Sequence, residues 1–223
     1  VEVPSGLTVS STNSFLTTTG AMYSSREVRG NVLTSKIYDW NNGQLIDLGR
    51  TDSAVSLTVS GDYAIWSVAR ILWRRQLSTK TNIEISGNAG NWKNDIASNG
   101  IVGYWSYDNN YSIVRYDSGT NTTLASDSTY WNTYVESDGD GFMYRKHDRC
   151  CSGQQYAISY HDGINESVLT SYRDNEPSPG RDYQTNNGWI AFTELGGSGQ
   201  THVWTRSSNG ALLQHSIFGT DST

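Results

Sequence analysis

Apolar and aromatic residues in this chain alternate with polar ones or come in short runs, with almost no helical spacing. Typical runs are IVGYWSY at 101–107 and WIAFTEL at 189–195. Clusters of Gly, Asn, Asp and Ser separate them, as turns between short strands do. The pattern predicts an all-β chain built from antiparallel hairpins.

The hairpin pattern repeats five times. Glycine-centred turns recur at intervals of 41, 39, 41 and 47 residues, at Gly20, Gly61, Gly100, Gly141 and Gly188. Each is followed by an aromatic-rich run, a second such run, a second turn and a closing run. Four extended segments in a period near 40 residues are typical of a propeller blade.

We therefore predict an all-β fold, a β-propeller of five four-stranded antiparallel blades in a single domain over residues 1–223. The repeats fall at about 13–53, 54–91, 92–130, 131–175 and 176–221. One blade cannot bury both faces of its sheet, so blades must stack around an axis. Residues 1–12 lie outside the five repeats and are interpreted as the last strand of a neighbouring blade or the strand that closes the ring. The alternative is that the chain is a segment of a larger propeller.

Composition and charge limit the kinds of partner that this chain can bind. The net charge is −6, only 17% of residues are charged, and the basic residues do not cluster apart from Arg70, Arg74 and Arg75. This argues against nucleic acid, and no apolar run is long enough for membrane insertion. The many Ser, Thr, Asn and Gly residues are typical of secreted bacterial proteins, so we expect an extracellular location.

The two cysteines, Cys150 and Cys151, are adjacent in an insertion of the fourth repeat. They are free thiols in an exposed loop, a strained vicinal disulfide, or metal ligands together with His147 and Asp148. Zinc normally takes four well-spaced ligands, which this segment supplies poorly. We therefore expect no metal and no cofactor.

Loop variation points to one rim of the propeller as a binding site. In a four-stranded meander, the second connections and the links between blades lie on the same rim, and here they are long, variable and rich in aromatic residues. Aromatic rings beside Asn, Asp and Arg side chains suit a sugar. The predicted ligand-binding residues are Trp92, Asn94, Asp108, Asn109, Tyr130, Trp131 and Arg181.

Several aromatic residues have a second interpretation. Trp92 and Trp131 open their repeats and are also placed to pack in the joints between blades. Trp66, Trp105 and Tyr144 occupy similar positions after their turn glycines, so we expect them in the core between blades.

Three carboxylates suggest an enzymatic alternative. Asp95, Glu136 and Asp182 lie five or six residues before a turn glycine, on strands predicted to line the central channel. Glycan cleavage needs two such groups roughly 5–10 Å apart, one with a raised pKa. The same residues are also placed to hold neighbouring blades through backbone hydrogen bonds. No nucleophile motif accompanies them.

Three segments carry a family resemblance: SNGIVGYW (98–105), RYDSGTNTTLAS (115–126) and NNGWIAF (186–192). They resemble the blades of bacterial TolB-like and related short-blade β-propeller repeat proteins. The resemblance implies extracytoplasmic scaffolding or binding and no single activity. Such relatives often have six or seven blades, whereas this chain has five repeats.

The expected function is therefore a secreted carbohydrate-binding, lectin-like or adhesive module without catalytic activity. Its expected partners are a glycan or cell-surface polysaccharide and further domains of a parent polypeptide. The alternative is a small glycan-active enzyme, a glycoside hydrolase or lyase, that uses the channel carboxylates.

Overall fold

The fold consists of five four-stranded antiparallel sheets, as predicted. The computed structural model describes residues 8–17, 20–29, 32–41, 44–51, 56–90, 93–108, 110–137, 139, 141–148, 155–170, 183–186, 189–195, 201–206 and 211–218. No helix in these ranges is long and apolar enough to cross a membrane.

Twenty strands build the sheets in chain order. The first sheet contains β1 (Thr8–Thr17), β2 (Gly20–Arg29), β3 (Val32–Asn41) and β4 (Gln44–Thr51), and the second contains β5 (Ser56–Ser60), β6 (Tyr63–Val68), β7 (Ile71–Gln76) and β8 (Thr81–Ser86). The third contains β9 (Asp95–Ile96), β10 (Val102–Ser106), β11 (Ser112–Asp117) and β12 (Thr120–Ala125). The fourth contains β13 (Tyr130–Ser137), β14 (Phe142–Asp148), β15 (Tyr156–His161) and β16 (Glu166–Val168), and the fifth contains β17 (Tyr183–Asn186), β18 (Trp189–Leu195), β19 (Thr201–Arg206) and β20 (Leu212–Phe218).

Every sheet is a simple meander in which each strand pairs with the next one along the chain. The turn glycines permit the tight first hairpins. Gly61 and Gly100 have φ angles of +56° and +86°, a region that favours glycine. Residues 8–12, which the repeat pattern left outside the blades, belong to β1 and extend its pairing with β2 to Thr8.

Apolar clusters lie between consecutive sheets and hold them in series. Between the second and third sheets, Ile65 and Leu72 pack with Val102 and Tyr104. The aromatic residues predicted for this role are confirmed there: Trp66, Trp105 and Tyr144 are 3%, 5% and 0% exposed and lie in such clusters. Their burial between sheets provides most of the stabilisation that a single meander lacks.

A buried ion pair joins the first two sheets. Arg75 on β7 contacts Asp39 on β3, with 3.0 Å between Nη2 and Oδ2, and both side chains are 4% exposed. Arg75 also donates to the carbonyl oxygen of Lys80 and to the side chain of Asn82. These bonds offset the desolvation of the guanidinium group.

The series of sheets is open. Each sheet packs on the next from the first to the fifth, but within the described ranges no packing of similar extent joins the fifth sheet to the first. The fold class is confirmed, and the open arrangement fits the alternative of a segment of a larger propeller.

Candidate functional site

The first strands of four sheets line a common cavity of about 420 Å³. These strands, β5, β9, β13 and β17, are the innermost strands of their meanders, so the cavity lies in the central channel. The volume falls within the range of about 300–1,000 Å³ typical of small-molecule sites. The lining residues are Val59, Ser60, Asp95, Ile96, Ala97, Ser98, Glu136, Ser137, Gln184, Thr185 and Asn186.

The lining is mostly polar, with Val59, Ile96 and Ala97 as its apolar members. On β17, Tyr183 and Thr185 are buried, whereas Gln184 and Asn186 are exposed. Ser98 is also exposed, at the turn that follows β9. Hydroxyl, amide and carboxyl groups therefore share one water-accessible space, and none of the described residues that line it is aromatic.

Asp95 holds two inner strands together. Its Oδ2 accepts a hydrogen bond from the backbone N–H of Ser137 at 2.9 Å. Beside it, the backbone N–H of Val135 donates to the carbonyl oxygen of Lys93 at 2.8 Å. This geometry matches the second interpretation of the channel carboxylates, in which they fasten neighbouring blades through the backbone.

Glu136 lies next to this hydrogen bond, and the pKa of its carboxyl is raised. Burial, with a smaller contribution from the charge of Asp95, raises the pKa of its carboxyl to about 7, and Lys93 opposes the rise. Near neutral pH, Glu136 therefore spends much of its time protonated and able to donate a hydrogen bond. The structure thus brings together two of the three predicted channel carboxylates, while Asp182 lies outside the described residues.

Asn94, one of the predicted ligand-binding residues, is buried and bonded to backbone groups. It is 4% exposed. Its Nδ2 donates to the carbonyl oxygen of Gly90 at 2.6 Å, and its Oδ1 accepts from the backbone N–H of Trp105 at 3.3 Å. Because the amide is buried against backbone groups, it ties the link before β9 to the third sheet.

Trp131 lies in the joint between the third and fourth sheets. Its ring stacks on Tyr111 with centroids 4.5 Å apart and an interplanar angle of 27°. The ring of His147 is nearly perpendicular to it, with an interplanar angle of 86° and ring centroids 5.4 Å apart. The ring is half-buried, and the stacking on Tyr111 occupies a face that a sugar would need, which favours the packing interpretation.

Of the other residues predicted to bind ligand at the rim, two are described by the structure and three are not. Asp108 is exposed and accepts a hydrogen bond from the amide of Asn88. Tyr130 is half-buried, with the ammonium group of Lys146 5.4 Å from its ring centroid. Trp92, Asn109 and Arg181 lie outside the described residues, as do Cys150 and Cys151.

Two features of the structure were not predicted from the sequence. The first is the polar channel lining at Ser60, Gln184 and Asn186, although polar residues before each turn glycine gave a signal for it. The second is a row of aromatic rings in contact, some stacked and some edge to face, from Trp105 through Tyr107, Tyr111, Trp131 and His147 to Tyr156. Burial in this row, together with the charge of Arg145, lowers the pKa of His147 to about 4.

Metal binding has no geometric support in the part of the chain that the structure describes. No group of three or more His, Cys, Asp or Glu side chains there is placed to hold a metal ion. The channel instead offers hydrogen-bond donors and acceptors, and the carboxyl of Glu136 changes charge near neutral pH.

Comparisons with known proteins identify a fold. No protein-family model matches the sequence, and no curated protein matches it. Dipeptidyl peptidase 4 of Porphyromonas gingivalis is similar in structure, with a TM-score of 0.63 and 10% identity over 93% of this chain and 39% of that one. The tricorn protease has a TM-score of 0.52 and 11% identity over 97% and 27%. TolB from Acinetobacter baumannii has a TM-score of 0.49 and 13% identity over 88% and 52%.

These likenesses concern architecture. The chain spans about half the length of that TolB structure and less of the other two. TolB proteins and other β-propeller domains are among the solved structures that it matches. At such low identity the similarity shows the fold alone. The protein is a β-propeller of five four-stranded sheets, and its function has to be argued from its own channel.

Proposed function

We propose that this propeller module binds a glycan in its central channel and does not cleave it. The observation that carries the proposal is the cavity of about 420 Å³, in which inner strands from four sheets present hydroxyl, amide and carboxyl groups to one space. Sugar hydroxyls donate and accept hydrogen bonds, and this lining offers partners for both.

The individual groups suit such a ligand. The amides of Gln184 and Asn186 are exposed, and each both donates and accepts. Ser98, another exposed lining residue, adds a hydroxyl group. Vicinal hydroxyls of a pyranose are well matched to planar amides, which form paired hydrogen bonds of fixed direction.

The charge of the channel selects among glycans. Asp95 and the partly ionised Glu136 make the lining acidic, and the whole chain has a net charge of −6. A glycan that bears carboxylate or sulfate groups would be repelled at close range. The proposed ligand is therefore a neutral or amino-bearing glycan, met as a polysaccharide outside the cell.

The channel takes precedence over the rim as the proposed site. Asn94 is bonded to backbone groups of the third sheet and of the link before it, and Trp131 is stacked on Tyr111, so both of these rim residues have packing roles. The rim therefore stands as the competing location, with Asp108 and Tyr130 as its described members.

A second candidate function is glycan cleavage. The raised pKa of Glu136, about 7, is what a general acid requires, and Asp95 is a neighbouring carboxylate. Asp95 already accepts the Ser137 backbone hydrogen bond, however, and this bond restrains it as a link between strands. The binding function is favoured for that reason.

A glycan array probed with the purified chain tests the proposal, followed by an assay for released reducing sugar on each glycan bound. We expect binding to neutral or amino-bearing glycans without release. Release that Glu136→Gln abolishes would establish the enzyme instead. A chain that is folded but binds no glycan, or binds only anionic ones, would refute the proposed function.

A further inference from the structure

The channel cavity has two carboxyl groups and no cationic side chain among its described lining residues. Asp95 comes from β9 and Glu136 from β13, and none of the other described residues that line the cavity is Lys, Arg or His. The rest of the lining consists of hydroxyl, amide, backbone and a few apolar groups. A positive charge that balances the two carboxyls therefore has to come from outside this lining.

The two carboxyls lie close together across the joint between the third and fourth sheets. Asp95 Oδ2 is 2.9 Å from the backbone nitrogen of Ser137, the residue that follows Glu136. Burial, and to a smaller extent the charge of Asp95, raises the pKa of Glu136. Since two neighbouring carboxylates repel each other, the ionised pair is unfavourable unless a cation lies beside it.

Lys93, just before β9, compensates the carboxyls only in part. Its charge opposes the rise of the Glu136 pKa, but that pKa is still about 7. The side chain of Lys93 is exposed, so water screens its charge, whereas Glu136 is half-buried. The carboxyl pair is thus better matched to a cation that enters the cavity than to the cation that the chain provides.

The carboxyl of Glu136 is also placed to bond a ligand. It lines the cavity, and the causes of its shifted pKa are burial and two neighbouring charges, with no hydrogen bond among them. The exposed amides of Gln184 and Asn186 line the same cavity. A ligand in this space therefore meets carboxyl groups and amide groups together.

We propose that the glycan held in the channel carries a free amino group, whose ammonium form binds against Asp95 and Glu136. This inference rests on the proposed function and narrows the class of glycan. An ammonium group donates three hydrogen bonds, so it can serve both carboxyls while hydroxyls of the same sugar bond to Gln184 and Asn186. N-acetylation of the amine removes its charge, so an acetylated sugar cannot balance the carboxyls.

Calorimetric titration with two oligosaccharides of equal length tests the inference. One is an oligomer of glucosamine, in which the amines are free, and the other is the same oligomer of N-acetylglucosamine. In mildly acidic buffer, which protonates the amines, the glucosamine oligomer should bind at least about tenfold more tightly. Added salt should weaken its binding and leave that of the acetylated oligomer nearly unchanged.

Three variants assign the preference to the channel. Asp95→Asn and Glu136→Gln remove a charge and keep a similar shape, so each should weaken binding of the glucosamine oligomer about fivefold or more. Binding of the acetylated oligomer should change less than about twofold. Asp108→Asn is the matched control, because it removes an equal charge at an exposed position outside the described cavity lining, and it should change neither affinity. Thermal melts check that the variants are folded.

NMR titration of Glu136 in the unmodified chain gives a readout that needs no variant. The glucosamine oligomer should lower the pKa of Glu136, because a nearby cation favours the ionised carboxyl, and the acetylated oligomer should not lower it. Equal affinity for the two oligomers, tighter binding of the acetylated one, or a Glu136 pKa that the glucosamine oligomer leaves unchanged would each overturn the inference. Neutral glycans bound on the array would then still support the proposed function, whereas a folded chain that binds no glycan would refute both.

Discussion

The carboxylate of Asp95 accepts a hydrogen bond from the backbone N–H of Ser137, with 2.9 Å between Oδ2 and N. This bond connects the inner strands of the third and fourth sheets. It also sets a negative charge beside Glu136, where that charge adds to the effect of burial on the Glu136 pKa. One side chain thus fastens two blades and tunes the acidity of the channel.

Removing that charge should shift the acidity of its neighbour. In Asp95→Asn, the amide oxygen can still accept the Ser137 hydrogen bond, but the negative charge is lost. The pKa of Glu136 should fall below about 7 and stay above its ordinary value, because burial is the larger cause. NMR titration of the Glu136 carboxyl carbon measures this, with Asp108→Asn as a control on the exposed surface. An unchanged or higher pKa would show that Asp95 does not act on Glu136.

Stability should depend on pH through Glu136. Its folded-state pKa of about 7 exceeds the ordinary 4.5, so the folded chain holds more protons than the unfolded chain between these values. The free energy of unfolding should therefore fall as pH rises from 4.5 to 7, by about 2 kcal/mol for a half-buried carboxyl that water partly screens. Urea unfolding of the parent chain and of Glu136→Gln checks this: the variant should lose that decline. If the free energy of unfolding declines equally in both proteins, groups other than Glu136 cause the decline.

Close packing between blades should make one glycine sensitive to substitution. A Cβ at Gly103 would lie 2.8 Å from both Phe142 and Val135, across the joint between the third and fourth sheets. Gly103→Ala should therefore lower the free energy of unfolding by about 1–3 kcal/mol. At Gly87 a Cβ would meet only the Glu84 carboxyl oxygen, at 3.8 Å, so Gly87→Ala should be neutral or slightly stabilising. Equal effects at the two sites in urea unfolding would contradict the packing described.

Loss of one partner of the buried ion pair should be costly. Asp39→Ala leaves the guanidinium of Arg75 buried without its carboxylate, and about 3–5 kcal/mol of stability should be lost. Asp117→Ala is the matched control. Its pair with Arg115 is much more accessible to water, with side chains 44% and 27% exposed, and should contribute less than about 1 kcal/mol. Thermal or urea unfolding of both variants makes the comparison; a similar small loss in each would mean that the inner pair is not buried in solution.

The architecture could be predicted from the sequence because its signals are local. Turn glycines such as Gly61 and Gly100 require a positive φ, and their spacing counts the sheets directly. The alternation of apolar residues then assigns Trp66 and Trp105 to the core between blades. Each of these inferences needs only residues that are close together in the chain.

The site was harder to predict because its contacts join distant segments. The sequence shows that Asn94 is polar but not that the carbonyl oxygen of Gly90 lies 2.6 Å from its amide. Trp131 is an aromatic residue of the kind that stacks on sugar rings. Only the position of Tyr111, from the preceding sheet, shows that one face of its ring is covered. Asp95 and Glu136 were assigned to the inner strands by their distance from the turn glycines, and both line the cavity, whereas the raised pKa of Glu136 depends on burial.

In the proposed function, the channel and not the rim holds the glycan. Calorimetric titration of one array-selected neutral glycan into four variants separates the two locations: Gln184→Ala and Asn186→Ala in the channel, and Asp108→Ala and Tyr130→Ala on the rim. The channel variants should raise Kd by at least about tenfold each, through lost hydrogen bonds, while the rim variants stay within about twofold. Unchanged Kd in the channel variants, together with a tenfold loss of affinity in the rim variants, would place the glycan on the rim instead.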